Sequence, residues 1–170
     1  YGEWEEDPGY YGRPWAVLTL DGEYVYVNAG QKLHRVEMET GKDEVIADLA
    51  EYWEDGITLG KLVLSASGER IFVGRTRSID PDDLDDRPQH DWVTVDLNTG
   101  ATDIPPAASG ALMGCAYDEN GIIVQRGNVI WGTRENADGS RTFYNAGGTM
   151  ELYLVDEDGG NERRIGENIY

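Results

Sequence analysis

An all-β fold of repeated four-stranded antiparallel sheets is what this sequence predicts, and three observations predict it. The first is a recurring third strand. Leu33-His34-Arg35-Val36-Glu37-Met38-Glu39-Thr40-Gly41 aligns with Trp92-Val93-Thr94-Val95-Asp96-Leu97-Asn98-Thr99-Gly100 and with Leu152-Tyr153-Leu154-Val155-Asp156-Glu157-Asp158-Gly159-Gly160, at spacings of 59 and 60 residues. Each copy is an alternating segment, then an acid, then a polar turn with glycine where the backbone needs positive φ. The second is a pair of strands before each copy, joined at a turn dipeptide. The third is that no long amphipathic helical pattern competes; Val45 to Trp53 reads as a short helix or as strand plus connector.

Taken in order, Val17 to Leu20 and Glu23 to Val27 flank Asp21-Gly22, and Leu33 to Glu37 follows, with a short fourth strand over Asp43 to Asp48. The second unit repeats this with Leu62 to Leu64, Ser67-Gly68, Ile71 to Val73, the Trp92 copy and a fourth strand over Ala101 to Pro105. The third uses Met113 to Ala116, Asn120-Gly121, Ile122 to Val124, the Leu152 copy and Asn161 to Ile165. Asp-Gly, Ser-Gly and Asn-Gly suit two-residue hairpin turns. Four antiparallel strands at this period are the unit of a β-propeller, with an antiparallel sandwich as the rival arrangement. The blades are expected at about 14–50, 58–106 and 110–166. Propellers close with about four to eight blades, so three form part of a larger ring or a protomer that completes one by association, for example two chains making six.

Charge removes whole classes of function. The 170 residues carry 14 Lys+Arg against 33 Asp+Glu, a net charge of −19. Phosphate backbones and anionic bilayers are held by excess cationic side chains, so nucleic acid and membrane surfaces are excluded as partners. No apolar run is long enough to span a bilayer. With 5 Trp, 10 Tyr and 2 Phe the chain has material for a core. Eleven Arg against three Lys, with abundant acids, resemble the composition of a salt-adapted or high-GC source. The single cysteine, Cys115, rules out an internal disulfide and reads as a small core residue. The start, Tyr1-Gly2-Glu3-Trp4-Glu5, has neither initiator Met nor signal peptide and reads as processed, cut or incompletely represented.

The order strand, Asp-Gly, strand, Leu-x-x-Val-Asp-x-x-Thr-Gly resembles the TolB-like propellers, which include the oligogalacturonate lyases. Leu33 to Thr40, Trp53-Glu54-Asp55-Gly56 and Gly60-Lys61-Leu62-Val63-Leu64-Ser65 are similar to consecutive lyase blades, and Met150 to Asn161 resembles a later one. The resemblance implies action on, or binding of, acidic oligosaccharides, by β-elimination where active. It also implies a divalent metal held mainly by histidines, and a periplasmic or extracellular location, with the cytoplasm left open. The chain departs from that pattern: Cys115 stands where a Gly-His is expected, and His34 and His90 are the only histidines. The alternative from another class is a non-catalytic propeller serving as a protein-interaction or assembly module.

Enlarged loops mark where a site is built. The connection from Arg77 to His90 contains Asp80-Pro81-Asp82-Asp83-Leu84-Asp85-Asp86, five aspartates in seven positions. With His90, residues Asp80, Asp82 and Asp83 offer ligands to Mn²⁺ or Ca²⁺, although the turn glycine and terminal glutamate of a Ca²⁺ loop are missing and a solvated acidic loop is the competing reading. Asp156-Glu157-Asp158-Gly159 has a similar look, but its repeat phase makes it a hairpin turn. The connection from Thr133 to Thr149 mixes Arg134, Arg141 and Tyr144, a set suited to uronates, since aromatic rings stack on sugar C–H faces and Arg pairs bidentately with carboxylate. A surface hairpin covering the adjacent blade is the competing reading. Arg13, Trp15, Lys61 and Arg126, expected near the central channel, complete the substrate-binding candidates.

Overall fold

Alternation in each repeat produces strands, and turn chemistry folds them back on their neighbours. The computed structural model describes residues 15–53, 57–77, 89–116, 121–139 and 141–167. The first blade is β1 (Trp15–Leu18), β2 (Tyr24–Ala29), β3 (Lys32–Glu37) and β4 (Asp43–Asp48). The second is β5 (Ile57–Leu64), β6 (Arg70–Arg77), β7 (Gln89–Asp96) and β8 (Thr102–Asp103). The third is β9 (Ala111–Ala116), β10 (Gly121–Glu135), β11 (Arg141–Asp156) and β12 (Arg163–Glu167). Each blade is an antiparallel sheet with its strands in chain order. The first strands come together, β1 against β5 and β5 against β9, which is the propeller arrangement of innermost strands around an axis. After β4 the chain makes one 3₁₀ turn, Ala50–Tyr52, so Val45 to Trp53 is strand plus connector.

The first turns of blades 1 and 2 are longer than the dipeptide suggests, and that of blade 3 lies outside the described residues. Thr19 N–H donates to Tyr24 O at 2.9 Å and Ser65 N–H to Arg70 O at 2.9 Å, leaving four residues between the paired ends. The reason is the hydroxyl at each loop start: Tyr24 N–H donates to Thr19 Oγ1 and Arg70 N–H to Ser65 Oγ, both at 3.1 Å. Gly22 and Gly68 supply the positive φ, 76° and 75°. After the third strands, Gly41 and Gly100 take φ 69° and 71° and donate to Glu37 O and Asp96 O. In the third copy the left-handed glycine is Gly159 at φ 84°, one residue before the aligned Gly160, so that turn is a residue tighter.

Register places the cores. Directly opposed residues share a sheet face. Leu62, Val73 and Val93 form one row of blade 2, and Leu64, Ile71, Val95 and Thr102 the next. Their apolar members pack on Tyr26, Leu33 and Val17 of blade 1. The other face of blade 2, with Val63, Phe72 and Trp92, meets Ile122, Val124 and Val155 of blade 3. Polar links fasten the junctions: Tyr52 Oη donates to Thr102 Oγ1 at 3.0 Å, and Arg70 pairs with Glu157 at 2.8 Å.

Two expectations about segment lengths need correction. The fourth strand of blade 2 is only Thr102–Asp103, because Pro105 and Pro106 have no N–H for a ladder. Much of the stretch from Thr133 to Thr149 is not a loop: β10 and β11 stay paired as far as Glu135 opposite Arg141, well past where β9 and β12 flank them. The segment is polar and glycine-bearing, but threonine and aromatic residues sustain a two-stranded ribbon, reversed by a turn in which Gly139 N–H donates to Asn136 O.

Candidate functional site

The glycines of β5 and β6 open a cleft where three blades converge. Register jumps between Leu59 opposite Arg75 and Leu62 opposite Val73, so Gly60 and Lys61 together face Gly74. This bulge interrupts the ladder and re-aims Lys61. A second bulge lies in β9, where Ile123 opposes Gly114 but Val124 opposes Leu112, leaving Met113 extra. Lys61 Nζ spans from the first bulge to the second, donating to Met113 O at 2.6 Å.

The resulting cleft has a volume of about 440 Å³, within the range of small-ligand sites. Its walls include the indoles of Trp15 and Trp53 and the side chains of Lys61, Arg75, His90 and Asp91. Trp15, 47% exposed, leans over Gly60, its Nε1 3.5 Å from where a Cβ on that glycine would stand. Arg75 grips Asp91 with Nε on Oδ1 and Nη2 on Oδ2, both at 2.7 Å, a bidentate pair. His90 Nδ1 lies 3.0 Å from Thr76 Oγ1. Burial lowers the imidazole pKa below its ordinary value, opposed in part by the charge of Asp91, so His90 is neutral at pH 7.

Lys61 differs from Arg75 in one respect that matters for ligands. Among the described residues no carboxylate pairs with its ammonium, and the bond to Met113 O uses one of three N–H donors. In a chain of net charge −19 the cleft, which Trp15 and Trp53 also line, therefore presents a local positive charge.

Trp15, Lys61 and His90, singled out from sequence, line this one cleft. Arg126 lies elsewhere, with its guanidinium 5.3 Å from the Tyr153 ring centre, its Nε donating to Ser109 O at 3.0 Å and an ion pair to Glu162. Arg134, Arg141 and Tyr144 belong to the β10–β11 ribbon, with Tyr144 49% exposed. Arg13, Asp80, Asp82 and Asp83 lie outside the described residues. Trp53, Arg75 and Asp91 were not sequence candidates. Gly60 next to Lys61 inside a strand was the available signal, since an interior glycine marks bulges.

Among the described residues no group of three or more His, Cys, Asp or Glu could hold a divalent metal ion, and Asp80, Asp82 and Asp83 lie outside them. Cys115 packs beside the blade 2–blade 3 core, and burial pushes its thiol up, away from the nucleophilic thiolate.

No family model matches the chain, and no curated protein does. Among solved structures it is similar to oligogalacturonate lyase from Vibrio parahaemolyticus, with 14% identity and a TM-score of 0.49, covering 89% of this chain and 39% of that one. Dipeptidyl peptidase 4 from Porphyromonas gingivalis matches at 11% identity and a TM-score of 0.46, over 93% of this chain and 33% of that one. A putative TolB from Agrobacterium tumefaciens matches at 13% identity and a TM-score of 0.29, over 91% and 80%. The chain thus spans well under half of the lyase and of the peptidase.

Proposed function

We propose that the cleft binds an acidic oligosaccharide, with Trp15 and Trp53 stacking on pyranose C–H faces and Lys61 holding a uronate carboxylate. The observation that carries this reading is the Lys61 ammonium, bridged to a backbone carbonyl in a cleft that two tryptophans also line, without a carboxylate partner among the described residues. Neutral sugars satisfy the aromatic walls but leave that charge unanswered, so selectivity for acidic over neutral chains is the signature. A periplasmic or extracellular location, where such oligosaccharides are met, belongs to the same proposal. For β-elimination, neutral His90 is the base the cleft offers for a proton α to the carboxylate. The C5 proton passes to His90, the C5–H electrons form the C4–C5 double bond, the C4–O bond breaks, and the departing oxygen takes a proton from the imidazolium or from solvent water.

The test is calorimetric titration with oligogalacturonides and with neutral oligosaccharides of equal length, alongside ultraviolet absorbance for an unsaturated product. Binding of the acidic series, weakened about tenfold or more in Lys61→Met, supports the reading, because a charged hydrogen bond is worth about 1.5–3 kcal/mol. No binding at millimolar concentration overturns it, and binding without an absorbance rise assigns recognition without elimination. The second reading, a protein-interaction module, draws on the projecting β10–β11 ribbon with its exposed Tyr144. Truncating the ribbon at its turn separates the two: sugar binding survives and a ribbon-bound protein is lost.

A further inference from the structure

Each blade junction uses one repeated row of side chains, and among the described residues no other blade covers that row in blade 1. In blade 2 the row Leu64, Ile71, Val95 is 4%, 0% and 0% exposed against blade 1. In blade 3 the equivalent Ile122 and Val155 are 0% and 1% exposed against blade 2, with Cys115 completing the row. The hairpin hydrogen bonds of Thr19 and Ser65 coincide, which makes Leu18, Val25 and Val36 the same row in blade 1. The adjoining row is Ala16, Val27, His34 and Val45. Here Leu18 is 52% exposed and Val45 49%. Along β1 to β4 the centre of this face is apolar, bordered by the His34–Asp43 pair, joined at 2.9 Å, and by Lys32 opposite Asp48 at its end.

The complementary half of a junction is also present. Tyr26 and Leu33 of blade 1, and Phe72 and Trp92 of blade 2, form the faces that receive the next blade. Their counterparts on blade 3 are Ile123 with Leu154, and Leu152, on the side turned away from blade 2. One chain therefore holds both halves of a contact it makes twice internally. Two chains joined in this way form six blades, within the range of closed propellers, whereas three chains form nine and exceed it. A twofold ring satisfies both junctions at once.

We propose that a second copy of this chain covers the bare face of blade 1 with the outer face of its blade 3, and the reverse, closing two chains into a six-bladed ring. Neither face is used by the cleft, so the proposal is independent of the ligand.

The test is light scattering with size exclusion on the 170-residue chain at about 100 µM, well above micromolar dissociation constants, in high salt that screens repulsion between two −19 chains. The expected mass is twice 18.9 kDa. Leu18→Lys, on the blade 1 face, and Ile123→Glu, on the blade 3 face, each return the mass to 18.9 kDa with the thermal transition of the monomer retained. Should Ile123→Glu unfold, Leu152→Lys takes its place. A wild-type monomer overturns the proposal. So does a dimer that survives either substitution, since that pairs like faces, and so does any larger assembly.

Discussion

Replacing Asn28 with leucine should stabilise this protein, which is unusual for a change to a fully buried residue. Asn28 is 0% exposed on β2, opposite Trp15 in one neighbouring strand and Leu33 in the other. Neither its side-chain nitrogen nor its oxygen has a hydrogen-bond partner among the described residues. An unpaired buried amide costs about 1–3 kcal/mol. Leucine has the same number of side-chain heavy atoms, restores apolar contact with Leu33, and suits a strand better. Overpacking by the larger methyl groups takes back about 1 kcal/mol. The net gain is about 1–2 kcal/mol, or a rise of about 2–8 °C in Tm for a chain of this size. Guanidinium unfolding and calorimetry on wild type and Asn28→Leu measure it, with an unchanged m-value as the sign that only stability moved. A loss of 1 kcal/mol or more refutes the reasoning and means that the amide is satisfied in solution, as by a bound water.

Gly41 and Gly100 close equivalent turns at φ 69° and 71°, but a Cβ on Gly100 would stand 2.7 Å from Ile46 O, whereas one on Gly41 meets nothing within 4 Å. Gly41→Ala should therefore cost about 1–2 kcal/mol from the left-handed backbone alone, and Gly100→Ala clearly more by urea midpoint; equal losses would remove the blade 1–blade 2 clash from the account. Asp91→Ala removes the bidentate carboxylate partner of a guanidinium that is 18% exposed in the wild type. It should cost about 1.5–3 kcal/mol, and a loss below about 0.5 kcal/mol argues that the pair is solvated. His90 titrates below the ordinary imidazole value of 6.5 in the folded chain, so the unfolded chain takes the proton first. Its contribution is present above pH 6.5 and is lost as pH falls toward the folded value. The stability difference between wild type and His90→Gln should shrink over that interval, and a flat difference between pH 8 and 5 contradicts a neutral, buried imidazole.

Blade architecture was legible because it is written in local chemistry. Thr19 and Ser65 start their loops, Gly41 and Gly100 end their turns, and alternation in β3 and β7 points Leu33 and Trp92 one way and Val36 and Val95 the other. The tighter third turn escaped because Gly159-Gly160 offers two glycines for one left-handed position. The ribbon escaped because its residues are polar, and ladder hydrogen bonds do not depend on side-chain polarity. The cleft was half legible. Trp15, Lys61 and His90 are residue types that attract notice, but their convergence depends on a register jump that no side-chain pattern encodes. Arg75 and Asp91 were hidden for a similar reason: they are cross-strand partners only once β6 and β7 are in register.

The two bulges explain why a cleft stands where the three blades converge. In blade 1, β1 and β2 pair without a register shift from Trp15 to Leu18. In β5 and β9 the extra residues break that continuity, freeing the Met113 carbonyl, which Lys61 then satisfies from the neighbouring blade. A lysine committed entirely to that carbonyl would be a structural strut, and Lys61→Met would then lower stability and leave binding unchanged. A lysine with two donors to spare is both strut and anion contact. In that case Lys61→Arg, which keeps charge and reach but changes geometry, should preserve the fold while altering the preference among acidic sugars. Stability and affinity measured on the same two variants separate these roles, because only the second predicts that affinity moves when stability does not.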